Sequence, residues 1–442
     1  MNIAKLYKIF KEYPLISTDS RNPKPDSIFF ALKGESFDGN RFAKDALKVC
    51  KYAVVDDPEV VEDDRYLLVS SVLIALQNLS RFHRNHLDLP IIAITGTNGK
   101  TTTKELISAV LNKKYKAYST VGNFNNHIGV PLSLLEITTE HELAVIEMGA
   151  SKQGDIKELC EIAQPTHGII TNVGKAHLEG FGSFEKVMKT KGELYDFLYL
   201  NNGTAFVNYD DEYLEDMNPP RKTIHYGVSR FTHCQGQLIN EYPFVSFKWI
   251  ATGEMVYDDG ELDWSAPENQ IQLKLVGAYN YENALAAVCI GNYFDVDAKS
   301  MKEALEAYEP KNLRSQFKET DSNTLIIDSY NANPTSMKLA LDGFAGYKVD
   351  NKILILGDML ELGRVSRREH DVLIHHISEL EAFDDTYFVG EEFYSLKNEI
   401  TQHWFKNVDE LVAYFKDNPL KGKTILLKGS RGIKLEKVID SL

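Results

Sequence analysis

A chain of 442 residues with a formal net charge of -15 is too long for one hydrophobic core, which predicts two or three domains, and too acidic to favour a nucleic-acid partner. The four cysteines, Cys50, Cys160, Cys234 and Cys289, stand far apart with no Cys-x-x-Cys spacing, so reduced buried thiols are expected rather than zinc or disulfides. The opening MNIAKLYKIFKEYP is too short and too interrupted by lysines for a signal peptide, and no run reaches the ~20 apolar residues of a membrane span, so a cytoplasmic protein is expected.

From the start to about Pro90 short strands mix with helices. Strands are predicted over residues 27–32 and 52–55, helices over 40–50 and 72–84, which makes a small α/β domain. Two polar clusters punctuate it, Ser17-Thr18-Asp19-Ser20-Arg21 and Lys33-Gly34-Glu35. Hydroxyls, an arginine and turn glycines near strand ends suit a diphosphate or a sugar, and equally suit solvated turns.

The run IIAITGTNGKTTT at residues 91–103 is the most specific stretch. β-Branched residues predict a buried strand, and a glycine turn and a helix follow. Gly96, Thr97, Asn98 and Gly99 let backbone N–H groups close around an anion, Lys100 supplies positive charge, and Thr101, followed by Thr102, offers a hydroxyl to magnesium at the helix start. The strict P-loop pattern asks for glycine where Ile94 stands, yet the compact form keeps every chemical part.

Beyond this loop strands alternate with helices, which predicts a parallel sheet with its site at the carboxyl ends of the strands. One strand runs into Glu147 and another leads to His177, and both side chains are suitable ligands for a metal held near Thr101; a cap or a surface position is the plainer reading of each. Lys191 falls on a predicted helix, where a lysine ordinarily faces solvent. Between Thr223 and Leu275 aromatic and β-branched residues predict an antiparallel subdomain. Asn280 and Asn283 open the next helix, as caps or as readers of adenine. Past a boundary near residues 309–312 a doubly wound series begins. One of its strands ends in Asp328, followed by Tyr330, Asn331 and Asn333, and its last strand leads into Lys428, Gly429, Ser430 and Arg431, a basic turn for a carboxylate or phosphate, or a solvated loop.

Five phrases, GTNGKTT, EMGAS, TNVGKAHLEGFGS, KGELY and DSYNANPTSM, together with TDSR, ILGDMLELG and LLKGSRG, resemble the Mur ligases over essentially the whole chain. The Asn-Ala-Asn-Pro phrase resembles the members that add D-alanyl-D-alanine; the Asp-Asn-Pro-Arg phrase expected of the sister ligase for the third stem residue is absent. The resemblance implies three α/β domains: a UDP-MurNAc-binding unit at residues 1–89, a central P-loop ATP-binding unit with an antiparallel β part at 90–311, and a Rossmann-like unit at 312–442. It implies a ligase, here a monomer by default, whose substrates are UDP-MurNAc-tripeptide, ATP and D-Ala-D-Ala, joined through an acyl phosphate.

The same resemblance implies roles for single residues. Lys100 and Thr101 would hold phosphate and Mg²⁺, Glu147 and His177 would hold Mg²⁺, and Lys191 aligns with a lysine that is carbamylated into a second metal ligand. Asn280 and Asn283 match a pair near adenine, although Tyr279 departs from the histidine or phenylalanine usual beside them. Arg314 matches an arginine that reaches the phosphates, and Asp328 an acid that touches ribose. Tyr330, Asn331 and Asn333 would face dipeptide or nucleotide, and the Ser20-Arg21 and Gly34-Glu35 clusters match the UDP-sugar domain. A folylpolyglutamate-synthase-like ligase and a P-loop switch protein are the alternatives. The first should lack the roughly 90 residues ahead of the loop, and the second has less need of Lys191 and His177.

Overall fold

The computed structural model describes residues 1–34, 36–176, 178–251, 266–397 and 403–442. Three main sheets, each with its own apolar core, follow one another along the chain. The first is parallel, in the spatial order Ile16–Ser17, Ile28–Phe30, Tyr52–Val55, Tyr66–Leu68. Between its second and third strands the helix expected over residues 40–50 is cut to a 3-10 turn, Gly39–Phe42, and one short helix, Ala43–Ala46. Side-chain bonds capture the chain there: Asp38 accepts from the Asn40 N–H at 3.0 Å, and the Asn40 amide donates to Asp56 at 2.8 Å. Helix Val72–Arg84 forms as expected, with Ser71 capping the Ile74 N–H. It docks the first unit on the second, because Arg84 donates to the carbonyls of Ala163 and Gln164 at 3.0 and 3.2 Å.

The second sheet has nine strands, in the order Gln270–Gln272, Ser246–Ala251, Cys234–Asn240, Lys222–Gly227, Thr204–Asn208, His167–Ile170, Ile91–Thr95, Leu143–Glu147, Ala117–Ser119. Strand Ile91–Thr95 lies inside it with all five residues buried, which is why its β-branched run carries no polar alternation. Each isoleucine buried there stabilises by about 1.5–3 kcal/mol relative to an exposed one. Helices Lys100–Leu111, Tyr279–Tyr293 and Ala298–Ala307 cover one face, and Gly129–Leu135, Asp155–Ala163 and Phe184–Leu200 the other. The expected antiparallel strands are present, but they continue this sheet: Cys234–Asn240 pairs antiparallel with Ser246–Ala251, and that strand antiparallel with Gln270–Gln272. The apolar core under the parallel strands runs on unbroken beneath them, through Phe247, Trp249 and Ile271.

The third sheet runs Gln316–Glu319, Thr324–Asp328, Thr424–Lys428, Lys352–Gly357, Asp385–Val389, His403–Phe405, antiparallel only at its first pair. Insertion of the last strand beside the first parallel one brings the carboxyl ends carrying Asp328, Lys428 and Asp358 together, the switch point at which open α/β sheets bind ligands.

Candidate active site

Strand Ile91–Thr95 delivers its chain into a loop that only glycine can close. Gly96 sits at φ 142°, where an added Cβ would come within 2.0 Å of the Thr171 hydroxyl; Gly99 sits at φ 78°, with an added Cβ 2.6 Å from Asn283 Oδ1. Gly99 then caps helix Lys100–Leu111 without any side-chain bond, so the first N–H groups of that helix remain available to an anion. The neighbouring strand braces the loop. The Asn98 N–H donates to Asn172 Oδ1 at 3.0 Å, Thr171 donates to the Asn98 carbonyl at 2.6 Å, and the Gly174 N–H donates to the Thr97 hydroxyl at 2.9 Å. Lys100 Nζ folds back on the carbonyls of Gly96 and Thr97 at 2.8 and 3.0 Å. Desolvation pushes this lysine down to about 8, partly offset by Glu147 and reinforced by Arg314.

Opposite the loop, Glu147 ends its strand at 1% exposure. Its Oε1 accepts from Asn125 at 2.8 Å, whereas Oε2 is buried without a hydrogen-bond partner, 3.8 Å from the Lys104 ammonium. A buried carboxylate oxygen left in that state costs energy unless a cation completes it. Among the described residues no group of three or more His, Cys, Asp or Glu converges on a metal position. One carboxylate and the Thr101 hydroxyl still fit Mg²⁺, which commonly takes one or two protein ligands and fills its shell with phosphate and water.

Lys191, expected on a helix as a solvated cation unless modified, is instead 3% exposed inside helix Phe184–Leu200, with Nζ 5.8 Å from the Phe181 ring centroid. Burial, reinforced by the charge of Lys100, pushes its amine down to about 7 against the pull of Asp155 and Glu193. Burial thus favours the uncharged amine more than in an ordinary surface lysine. His177 and Glu35 lie outside the described residues.

The third unit roofs this centre. Asn333 Nδ2 donates to Asn98 Oδ1 in the phosphate loop at 2.7 Å while capping helix Pro334–Gly346, and the Lys175 N–H donates to Thr335 at 2.9 Å. Arg314 arrives through the junction between Leu313 at φ 59° and Ser315 at φ 49°, a left-handed pair that costs energy and persists only where surroundings enforce it. Tyr279 supplies part of that support through its hydroxyl, 2.9 Å from Ser315. The Arg314 guanidinium lies 3.8 Å from the Tyr330 ring centroid, and its Nε is buried without a partner. Asn98, Lys100, Thr101, Glu147, Tyr279, Arg314, Tyr330 and Thr335 line one cavity of about 1500 Å³ that also receives Leu73 from the first unit, whereas Lys191 and Asn333 do not line it.

Some expected ligands are placed differently. Asn280 and Asn283 border the cavity, but their amides bond internally: Asn280 donates to the Val276 carbonyl at 2.8 Å, and Asn283 joins Asn280 at 3.1 Å and accepts from Thr103 at 3.0 Å. Asp328 and Lys428 form a buried ion pair with each other, and Ser430 accepts from the Leu360 N–H at 3.0 Å, so neither Lys428 nor Ser430 is an open ligand. Ser20, Arg21 and Gly34 do not line the cavity; Arg21 pairs with Asp19 at 2.9 Å in an exposed turn. Asn172, Asn125 and Lys104 escaped the sequence reading. Only Asn172 had a signal, its place directly past a core strand.

The Asp328–Lys428 pair has a measurable consequence. Lys428 is 2% exposed, so Asp328→Asn leaves its charge uncompensated. The third unit should lose about 3–5 kcal/mol. A lowered thermal midpoint that Asp328→Asn/Lys428→Met partly restores is the expected outcome.

A phosphate cradle beneath a second doubly wound unit is the arrangement of an enzyme that consumes a nucleoside triphosphate. Residues 94–291 match the Mur ligase middle domain, and residues 313–431 the Mur ligase glutamate ligase domain. The chain is 34% identical to the UDP-N-acetylmuramoyl-tripeptide–D-alanyl-D-alanine ligase of Bacillus subtilis, over 97% of this chain and 92% of that protein. It is 32% identical to the Escherichia coli ligase of the same name, over 97% and 93%. Among solved structures, MurF from Acinetobacter baumannii superposes with a TM-score of 0.83 at 29% identity, covering 97% of this chain and 92% of that one. MurF from Thermotoga maritima in complex with ADP gives 0.82 at 26% identity, covering 96% of each. The chain belongs to the Mur ligase family, in the branch of the D-alanyl-D-alanine-adding ligases. No helix of the described residues is long and apolar enough to cross a membrane.

Proposed function

We propose that this protein joins D-alanyl-D-alanine to UDP-MurNAc-tripeptide at the expense of ATP, giving UDP-MurNAc-pentapeptide, ADP and phosphate, an amide-forming step in peptidoglycan precursor synthesis. The observation that carries the reading is the bond from Asn333 to Asn98, which sets the third unit directly on the phosphate loop. Residues 1–89 would hold the UDP-sugar, with Ser20, Arg21, Gly34 and Glu35 among its contacts, residues 90–311 the nucleotide, and residues 312–442 the dipeptide.

The tripeptide carboxylate attacks the γ-phosphorus of ATP, the bond to ADP breaks, and an acyl phosphate forms. The dipeptide amine, deprotonated, then attacks the acyl carbon; the carbon–oxygen bond to phosphate breaks and an amide remains. Negative charge gathers on oxygen in both steps, so the work falls to positioned cations and N–H donors rather than to a nucleophilic side chain. Lys100 and the helix N–H groups receive phosphate oxygens, and Arg314, poised on Tyr330, adds charge from the junction. Asp328, whose Oδ2 pairs with Lys428, would offer its other carboxylate oxygen to the ribose, and Asn280 and Asn283 shape the base pocket through the bonds that brace Thr103. Tyr330 and Asn331 face the incoming dipeptide.

Glu147, Thr101 and His177 would hold Mg²⁺, and Lys191, once carbamylated, would join them. Magnesium supplies neutralisation of phosphate charge. The Glu147 oxygen that lacks a hydrogen bond and the depressed Lys191 amine support the two assignments in turn.

ADP release is the test. Turnover should require UDP-MurNAc-tripeptide and D-Ala-D-Ala together; appreciable release with either omitted, or with a folate and glutamate in their place, defeats the reading.

A further inference from the structure

The incoming dipeptide carries a carboxylate that takes no part in the bond being made, and an acidic chain has to supply a cation for it. Among the described residues the third unit turns two cations beyond the junction toward the cavity, Lys428 and Arg431. Lys428 is already neutralised by Asp328. The Arg431 guanidinium has no carboxylate partner among the described residues; it lies over the Tyr330 ring, whose centroid is 5.3 Å from the guanidinium carbon.

We infer that Arg431 binds the free carboxylate of the D-alanyl-D-alanine substrate, an inference that rests on the reaction proposed above. The loop residues Thr97, Asn98, Gly99, Lys100, Thr101 and Thr102 line the cavity and would take the nucleotide phosphates, and the first unit contributes Leu73. The amine donor is left the third unit's face, where Tyr330, Asn331 and Arg431 lie.

The turn that carries Arg431 is held firmly. The Ser430 N–H donates to the Asp358 carbonyl at 3.2 Å, Ser430 Oγ accepts from Leu360, and Gly429 packs so closely that an added Cβ would lie 2.8 Å from Gly357 Cα. The Tyr330 ring divides the labour of two arginines. Arg314 lies nearer the ring, at 3.8 Å from its centroid, and Arg431 lies at 5.3 Å; on this assignment Arg314 serves the nucleotide and Arg431 the dipeptide. A guanidinium fork matches a carboxylate with two parallel N–H donors, which a lysine ammonium does not offer.

Steady-state ADP release with D-Ala-D-Ala and with D-alanyl-D-alaninamide, which lacks the carboxylate, tests the assignment. For the unaltered enzyme the amide should show a KM roughly 10- to 100-fold higher, the usual worth of a charge-assisted hydrogen-bond pair. Arg431→Ala should raise the KM for the dipeptide by a similar factor, leave that for the amide unchanged, and leave the KM for ATP unchanged. Arg431→Lys, which keeps the charge but not the fork, should fall between and guards against misfolding of the alanine variant.

Equal losses with dipeptide and amide, an unaltered dipeptide KM, or a rise confined to ATP would overturn the assignment. If the unaltered enzyme releases no ADP with the dipeptide at all, the proposed reaction itself fails and this assignment falls with it.

Discussion

Lys191→Met should lower kcat by roughly 10²- to 10³-fold while leaving the protein folded, the loss typical of removing one preorganised charge from a transition-state site. The side chain is 3% exposed and rests against Phe181, so a methionine of similar length fits the space and removes only the amine. The amine matters because it is nucleophilic where lysines ordinarily are not: burial and the Lys100 charge hold it down to about 7. An uncharged amine can add to carbon dioxide, and the carbamate proposed here would exchange a buried cation for an anion. With ¹³C-bicarbonate the unaltered protein should show a carbamate carbon resonance that Lys191→Met lacks.

The sign of the pH dependence follows from the depressed value. Protonation below about pH 7 consumes the free amine, so carbamate and activity should decline together as pH falls through that point. A methionine variant with unaltered kcat and an undiminished resonance would show that the lysine is only a packing element.

Lys100→Met should cost still more, about 10³-fold or greater in kcat/KM for ATP, because two functions are lost at once. In the proposed reaction the ammonium neutralises phosphate charge, and its bonds to the Gly96 and Thr97 carbonyls also tie the loop together. Titration calorimetry with ATP separates the two. Loss of binding as well as turnover marks collapse of the loop, and retained binding with lost turnover marks loss of transition-state charge alone. Normal kcat/KM in this variant would remove Lys100 from the mechanism.

The phosphate loop was legible because its parts are local. A β-branched strand, two glycines with positive φ, a lysine and a helix start lie within one stretch, and each follows from its immediate neighbours. Most strands of the third unit were legible for a similar reason, since buried parallel strands are short apolar runs between turns. The helix predicted over residues 40–50 was not, because Asp38, Asn40 and Asp56 offer the backbone competing side-chain bonds that a periodicity argument does not weigh.

Lys191 shows the limit most plainly. Its place on a helix is written in the sequence, but its burial depends on packing of that helix against the sheet. Asn280 and Asn283 likewise look like ligands when only their type and position are known, and packing spends their amides on Val276 and Thr103.

By itself the sequence determined the three-part α/β order, the glycine loop between strand and helix, and the absence of long apolar spans, because these depend on residues a few positions apart. Only the tertiary structure decided that Asp328 pairs with Lys428, 100 residues away, that Asn333 reaches Asn98 across 235 residues, and that the Arg431 guanidinium lies over the Tyr330 ring with no carboxylate partner among the described residues. Such pairings depend on which strand ends the sheet order sets side by side and on which buried charges then neutralise one another. Neither is expressed in local spacing.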